Sequence, residues 1–257
     1  MHDGDLQRSS RVARGSQYQP GEMRNRIRRR RDGQAGFTLV EAMIVVAIIG
    51  IVAAIGTPAL SRFFIDLRTR DAARSAADAL RLARADAIRT GLPHVVFFSA
   101  AAVGNPPATD PGGTPLGADP STGGGPFPVL ILRDGGVGAA NCLIDVGEAQ
   151  QGIAARRDVA WGSTVSGGVA APGDGGLADH SSGSSFRSPA GLATTWVVFA
   201  PNGIPLGFNA ACNTGGVGSG AGAIYLTNGR RDYAVVLSPL GSVRMHSWEQ
   251  GAGQWTN

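Results

Sequence analysis

The chain has 257 residues, 43% of them hydrophobic and 6% aromatic, with 39 glycines, a length that allows one or two domains. Its formal charge is +4 and its isoelectric point about 9.8. Residues 1–36, however, hold nine arginines against four acids, a net of +5, and the remainder carries −1. Bulk charge therefore excludes a generally basic, nucleic-acid-coating body, because the basic character belongs to the first segment.

Residues 1–36 are polar, Arg-rich and without apolar periodicity, and read as a disordered basic leader. Met23 offers a second start, with a leader of 14 residues and residues 1–22 as an extension; Met1 is the other choice. From Phe37 to Leu60 the chain turns apolar, and Ala42–Gly56 contains no charged or hydrogen-bonding side chain. As a helix this stretch reaches about 36 Å, enough for a hydrocarbon core about 30 Å thick. A secretory signal peptide has a shorter apolar core followed by a small-x-small site. Here the small residue, Gly36, precedes the run. The arginine flank predicts a cytoplasmic N-terminal side and an exported C-terminal part. Glu41 does not belong in lipid: a carboxylate there is costly and implies a partner.

The helical pattern continues from Leu60 to Arg89, giving one helix of about 53 residues, ended by Gly91 and Pro93. Residues 37–60 form its membrane half and 61–92 its exported half. Leu67, Ala73, Ala76, Ala77, Leu80, Ala83, Ala87 and Ile88 make the stripe expected to pack on a sheet. Asp66–Arg70 and Arg74–Asp78 are spaced for exposed pairs. Pro58 removes a ladder hydrogen bond and is expected to kink the helix, while Gly50 and Gly56 give close-approach points for neighbouring helices.

Residues 93–257 read as a β-rich globular domain. Strands are expected at His94–Ser99, Phe127–Arg133, Asp158–Trp161, Thr194–Ala200, Ile204–Phe208, Ala223–Thr227, Asp232–Ser238 and Ser242–Ser247. Pro201-Asn202-Gly203, Asn228-Gly229 and Pro239-Leu240-Gly241 supply turns, so the sheet is antiparallel. The stretches 104–125 and 162–185 are long Gly/Pro- and Gly/Ser-rich loops with too little apolar content to pack. Cys142 and Cys212 both follow the span; in an exported domain an even count points to one disulfide, with two buried free thiols as the alternative.

Nothing in the chain favours an enzyme. His94, His180 and His246 are scattered, and there is no Gly-x-Ser-x-Gly elbow, HExxH, CxxC or paired-carboxylate motif. Neither metal nor cofactor is expected. The run Gly215–Gly222 lacks the lysine and the strand–helix context of a phosphate loop and reads as a turn.

The residues Gly36-Phe37-Thr38-Leu39-Val40-Glu41 resemble the prepilin cleavage motif of type IV pilins and type II secretion pseudopilins. The resemblance implies cleavage by prepilin peptidase between Gly36 and Phe37 and N-methylation of Phe37. It also implies that Glu41, the fifth mature residue, pairs with the N-terminal amine of a neighbouring subunit. WVVFAPNGIPL and AIYLTNGRRDYAVVLSPLGSVR in the last third resemble the globular domain of GspH/FimT minor pseudopilins. The implied fold is α+β and type IV pilin-like: one long N-terminal transmembrane helix packed on a C-terminal antiparallel β-sheet domain. The implied role is a minor pseudopilin of a type II secretion system or a type IV pilus. Its partners would be other pilins and the membrane, with an inner-membrane anchor, a periplasmic domain and incorporation into a filament.

In some FimT-type members a closing Gly-Arg-x-Arg loop contributes to DNA uptake. The matching positions here are Gly241, Ser242, Val243 and Arg244, so one of the two arginines is replaced. Arg230 and Arg231, on the preceding hairpin, are expected to add charge at the same end of the sheet. A DNA-binding subunit for transformation is thus the alternative function, on a thin footprint.

Overall fold

A computed structural model of the chain describes residues 36–98, 110–113, 129–153, 159–175 and 183–257. The leader before Gly36, most of the 104–125 loop, and His180 lie outside the described residues. Helix α1 runs Leu39–Thr90, 52 residues, without interruption through Pro58. Gly91, at φ 67°, ends it by donating its N–H to Ala87 O at 3.0 Å, a left-handed glycine cap. The chain divides at Gly50 into two units. The second, Ile51–Asn257, holds the rest of α1 and every strand among the described residues.

In this unit α1 buries Thr69, Ala73, Ala76, Ala77, Ala79, Leu80, Ala83 and Ala87. Leu67 and Ile88, expected on the stripe, are instead 39% and 54% exposed. At about 100° per residue Leu67 lies some 120° around the helix from Ala73, whereas Thr69 lies about 40° from it. Thr69 takes the inward position, its Oγ1 donating to Ile65 O at 2.9 Å and accepting from Asn228 Nδ2 at 2.9 Å. The charge pairs also differ from expectation. Arg74 meets Asp71 at 3.9 Å, Arg81 meets Asp78 at 2.8 Å and Arg89 meets Asp86 at 3.0 Å, each three residues apart. Asp66 turns instead to Arg231 at 3.3 Å, because the β domain offers it a guanidinium and the Asn228 amide.

The strands form two antiparallel five-stranded sheets. Their sequence order is β1 His94–Phe98, β2 Val129–Arg133, β3 Gln150–Ile153, β4 Ala160–Trp161, β5 Trp196–Phe199, β6 Pro205–Leu206, β7 Gly222–Thr227, β8 Asp232–Leu237, β9 Val243–Glu249 and β10 Gln254–Thr256. The first sheet has the order β3-β2-β1-β5-β6 and the second β10-β9-β8-β7-β4. β3 and β10 are edge strands of four and three residues, QQGI and QWT, too short and polar to show apolar alternation. The segment expected as Ile204–Phe208 pairs only at Pro205–Leu206.

Alternation along the strands builds three apolar clusters. Val96, Phe98, Ile131, Val197 and Phe199 of the first sheet join Ile224, Leu226, Val235 and Leu237 of the second against the α1 alanines. The opposite face of the first sheet, with Val95, Phe97, Leu130, Leu132 and Val198, is covered by Cys142 and Phe208. The opposite face of the second, with Ala223, Tyr225, Ala234 and Val236, is covered by Ala171 and Trp255. The central strands of both sheets are therefore buried on two faces, and β8 is buried along its whole length.

This corrects the expectation for the second long loop. Residues 163–175 do pack, through polar anchors in place of apolar area. Asp232 Oδ2 accepts from the N–H groups of Val165 and Ser166 at 2.8 and 2.7 Å and from Ser166 Oγ at 2.9 Å. Tyr225 Oη accepts the Ala171 N–H at 3.0 Å and donates to Asp174 Oδ2 at 2.6 Å. Burial and the Asp174 carboxylate hold the Tyr225 phenol protonated, far above its ordinary range.

Candidate functional site

In the N-terminal unit the described residues start with Gly36–Thr38, which are non-helical, and then enter α1. Thr38 caps the helix: Glu41 N–H donates to its Oγ1 at 3.2 Å, and Ala42 N–H to its carbonyl at 3.1 Å. Thr-x-x-Glu is the spacing of a capping box, and it places the Glu41 charge in the first turn, at the positive end of the helix dipole. The chain thus gives Glu41 one role of its own, which the sequence reading did not identify although the spacing was legible.

Beyond Glu41 the surface is apolar on every side. Met43, Ile44, Val46, Ile48, Ile49, Ile51, Val52 and Ile55 are each more than half exposed, and Phe37 is 79% exposed. The helix is long and apolar enough to cross a membrane. Leu39, Ala42, Met43, Val46 and Ala47 frame a shallow apolar groove where the small alanines leave room. A Cβ built on Gly36, Gly50 or Gly56 would meet nothing within 4 Å. No packing among the described residues requires glycine at these places. Around Pro58, the hydroxyls of Thr57 and Ser61 donate to the carbonyls of Ala53 and Pro58 at 2.6 and 2.9 Å.

The arginines singled out for nucleic acid do not come together. Arg231 precedes Asp232, where β8 starts, whereas Arg244 pairs with Val236 near its end. Five residues of strand, about 17 Å, separate the two along the sheet. The β7–β8 and β8–β9 turns lie at opposite ends of the meander, as antiparallel connectivity demands, so the expectation of a shared end was wrong. Arg231 pairs with Asp66, and the N–H groups of Arg230 and Arg231 donate to Asn228 Oδ1 at 2.9 and 2.8 Å.

At the Arg244 end, a residue that sequence reading missed does the joining. Arg84 Nε donates to Gly203 O at 3.1 Å and its Nη1 to Gly241 O at 2.9 Å, tying the β5–β6 turn and the β8–β9 turn to α1. Gly203, at φ 76°, is in the left-handed region that favours glycine, and a Cβ there would lie 2.5 Å from Ile88 Cδ1, so the Ile88 side chain would have to turn aside.

Cys142 and Cys212 are joined in a disulfide, with a Cα–Cα distance of 5.4 Å and a sequence separation of 70 residues. Asp134 cradles it, accepting from Asn141 N–H at 3.0 Å and Cys142 N–H at 2.9 Å. An Asp134 oxygen and the two sulfurs lie within 4.8 Å of one another, but the sulfurs are bonded to each other and the carboxylate already serves backbone donors. The group is a staple. Burial raises the Asp134 carboxyl, and also that of Glu148, above the carboxylate range. Burial lowers both His94, whose Nδ1 meets Leu92 O at 3.1 Å, and His246, on which Arg244 acts in the same direction. Within Gly215–Gly222, Ser219 N–H donates to Gly216 O and Ala221 N–H to Gly218 O at 3.0 and 3.2 Å. A Cβ at Gly220 would collide with the Pro205–Leu206 backbone and one at Gly222 with Phe186, so these two glycines serve packing.

One exposed apolar helix leading into an antiparallel β domain defines a type IV pilin-like α+β fold. A family model described as the prokaryotic N-terminal methylation motif matches residues 31–57, about a tenth of the chain. No curated protein and no solved structure matches it. The chain thus carries a prepilin-type methylation motif at the head of its apolar helix, which marks it as a type IV pilin-like subunit processed by prepilin peptidase.

Proposed function

We propose that the protein is a minor pseudopilin, a structural subunit of the pseudopilus of a type II secretion system or of a type IV pilus, with no catalytic activity. The observation that carries this reading is a single carboxylate, Glu41, at the head of an otherwise apolar and exposed stretch of helix that reaches Leu60. Cleavage after Gly36 would create an ammonium at Phe37, four residues before Glu41 in the sequence. Within a bundle of such helices, each charge is costly alone, and the pair is tolerable when the Glu41 of one subunit meets the amine of the next. Lipid provides no hydrophobic push between helices, so close packing at the Ala42 and Ala47 groove, at Gly50 and at Gly56 supplies the remaining attraction. The helix would stand in the inner membrane with the β domain on the periplasmic side before it enters the filament.

The test is Glu41→Ala in the full chain. The mature N-terminus, read by mass spectrometry, should remain methyl-Phe37, while recovery of the subunit with sheared filaments should collapse. Normal recovery of the variant refutes the charge-pair role, and a mature protein that retains its arginine-rich leader refutes the whole reading. A DNA-binding role gains nothing from the geometry, because Arg230 and Arg231 lie at the other end of the sheet from Arg244.

A further inference from the structure

We propose that a notch at the β7–β8 end of the second sheet, closed by Arg230, Arg231, Trp248 and Gln250, takes the phosphodiester of an anionic lipid headgroup while the chain stands in the membrane. The inference rests on the reading of Phe37–Leu60 as a membrane span. The notch has a volume of about 380 Å³, and Ser247, Glu249 and Thr256 complete its lining. Its height above the bilayer follows from the contacts that pin the β7–β8 turn to α1. Asn228 Nδ2 donates to Asp66 Oδ1 and to Thr69 Oγ1, both at 2.9 Å, and Arg231 pairs with Asp66 at 3.3 Å. Asp66 is six residues beyond Leu60, the last residue of the apolar run, which is about 9 Å of helix. The headgroup layer on each side of the hydrocarbon is about 5–7 Å deep. The turn therefore overhangs the lipid surface within reach of an arginine side chain.

The helix below the turn has the composition of a membrane boundary. Phe63 and Phe64 are 56% and 47% exposed, and Arg62, one turn before Asp66 on the same face, is the first charge after Glu41. Here the apolar surface of the helix gives way to charge, and an arginine at such a boundary can keep its stem along apolar surface with its head in water. Within the notch, Arg230 has no side-chain partner among the described residues, Glu249 is the one carboxylate, and Trp248 stacks edge-on to Trp255 with ring centroids 5.3 Å apart. With Asp66 on Arg231 and Glu249 in the lining, two carboxylates face two guanidinium groups, and Arg230 is the guanidinium left over for an anion. A planar fork suits phosphate oxygens, and the indole suits the boundary between glycerol and water. Asp66 neutralises part of the Arg231 charge, so Arg230 is the group that carries the recognition.

The experiment uses the full chain in lipid nanodiscs of phosphatidylcholine, with and without phosphatidylglycerol, and reads hydrogen exchange at the amides of 229–232 and 247–250. Exchange should slow about tenfold when phosphatidylglycerol is present, the gain for a site held near ten times its dissociation constant. Arg230→Glu should remove that gain, Arg230→Lys should keep part of it, and Arg244→Glu, at the far end of the sheet, should leave it intact. Equal exchange in both discs overturns the proposal. So does the same slowing by inorganic phosphate in phosphatidylcholine discs, which would make the notch a general anion site. Protease protection of the span, measured in parallel, separates the two levels: without insertion the membrane reading itself fails, and with insertion but no lipid-dependent gain only the headgroup site fails.

Discussion

Breaking the Cys142–Cys212 bridge gives the most quantitative test of how the β domain is held. The bridge closes 70 residues of chain, for which the chain-entropy relation gives about 4 kcal/mol at 25 °C. Both cysteines sit at positive φ, 60° and 58°, a conformation that costs a non-glycine residue about 1–2 kcal/mol. That cost persists in a serine variant, so it does not reduce the difference unless the loops relax. Domains of ordinary stability hold only about 5–15 kcal/mol, so the change is large. Cys142→Ser/Cys212→Ser in the full chain, in detergent micelles, should lower the urea unfolding free energy by about 3–4 kcal/mol. Trp196 is the natural reporter: its ring lies 5.8 Å from Phe208 and its Nε1 donates to Phe208 O at 3.1 Å, inside the cluster that the bridge covers. A reducing agent should reproduce the change in the native chain and leave the variant unaffected. A loss below about 1 kcal/mol, in protein whose bridge mass spectrometry has confirmed, refutes the reasoning.

Other expectations test single contacts. Arg84→Ala removes two charged hydrogen bonds to turn carbonyls and should cost about 2 kcal/mol, and Arg84→Lys should recover no more than half, since an ammonium lacks the fork. Gly203→Ala should cost about 2 kcal/mol by left-handed strain and collision with Ile88, and adding Ile88→Ala should relieve part of it; urea midpoints decide both. His94 and His246 are held below their ordinary value of 6.5, so the unfolded chain binds protons first. Their contribution is whole above that value and drains as the pH falls through it toward the folded values. Asp134 and Glu148, raised by burial, act in the opposite sense: their contribution is whole below the ordinary carboxylate values and is lost as the pH rises through the folded ones. Comparing urea midpoints of the native chain with those of His94→Gln/His246→Gln from about pH 7.5 to 5.5 isolates the histidines: the gap between the two should narrow as the pH falls.

The sequence by itself determined the helix, its apolar head, the motif at Gly36–Glu41 and most of the β8–β9 meander. Each depends on neighbours in the chain: an unbroken apolar run, a period of 3.6 or 2, and turn residues such as Asn228-Gly229 and Leu240-Gly241. Only the tertiary structure decided what meets across the fold. It divided the strands between two sheets, gave Asp66 to Arg231 in place of Arg70, and packed residues 163–175 onto Asp232 and Tyr225. It also set Arg231 and Arg244 at opposite ends of one strand pair. Local composition is silent on such pairings, because a side chain's partner is fixed by which elements the packed alanine face of α1 brings alongside it.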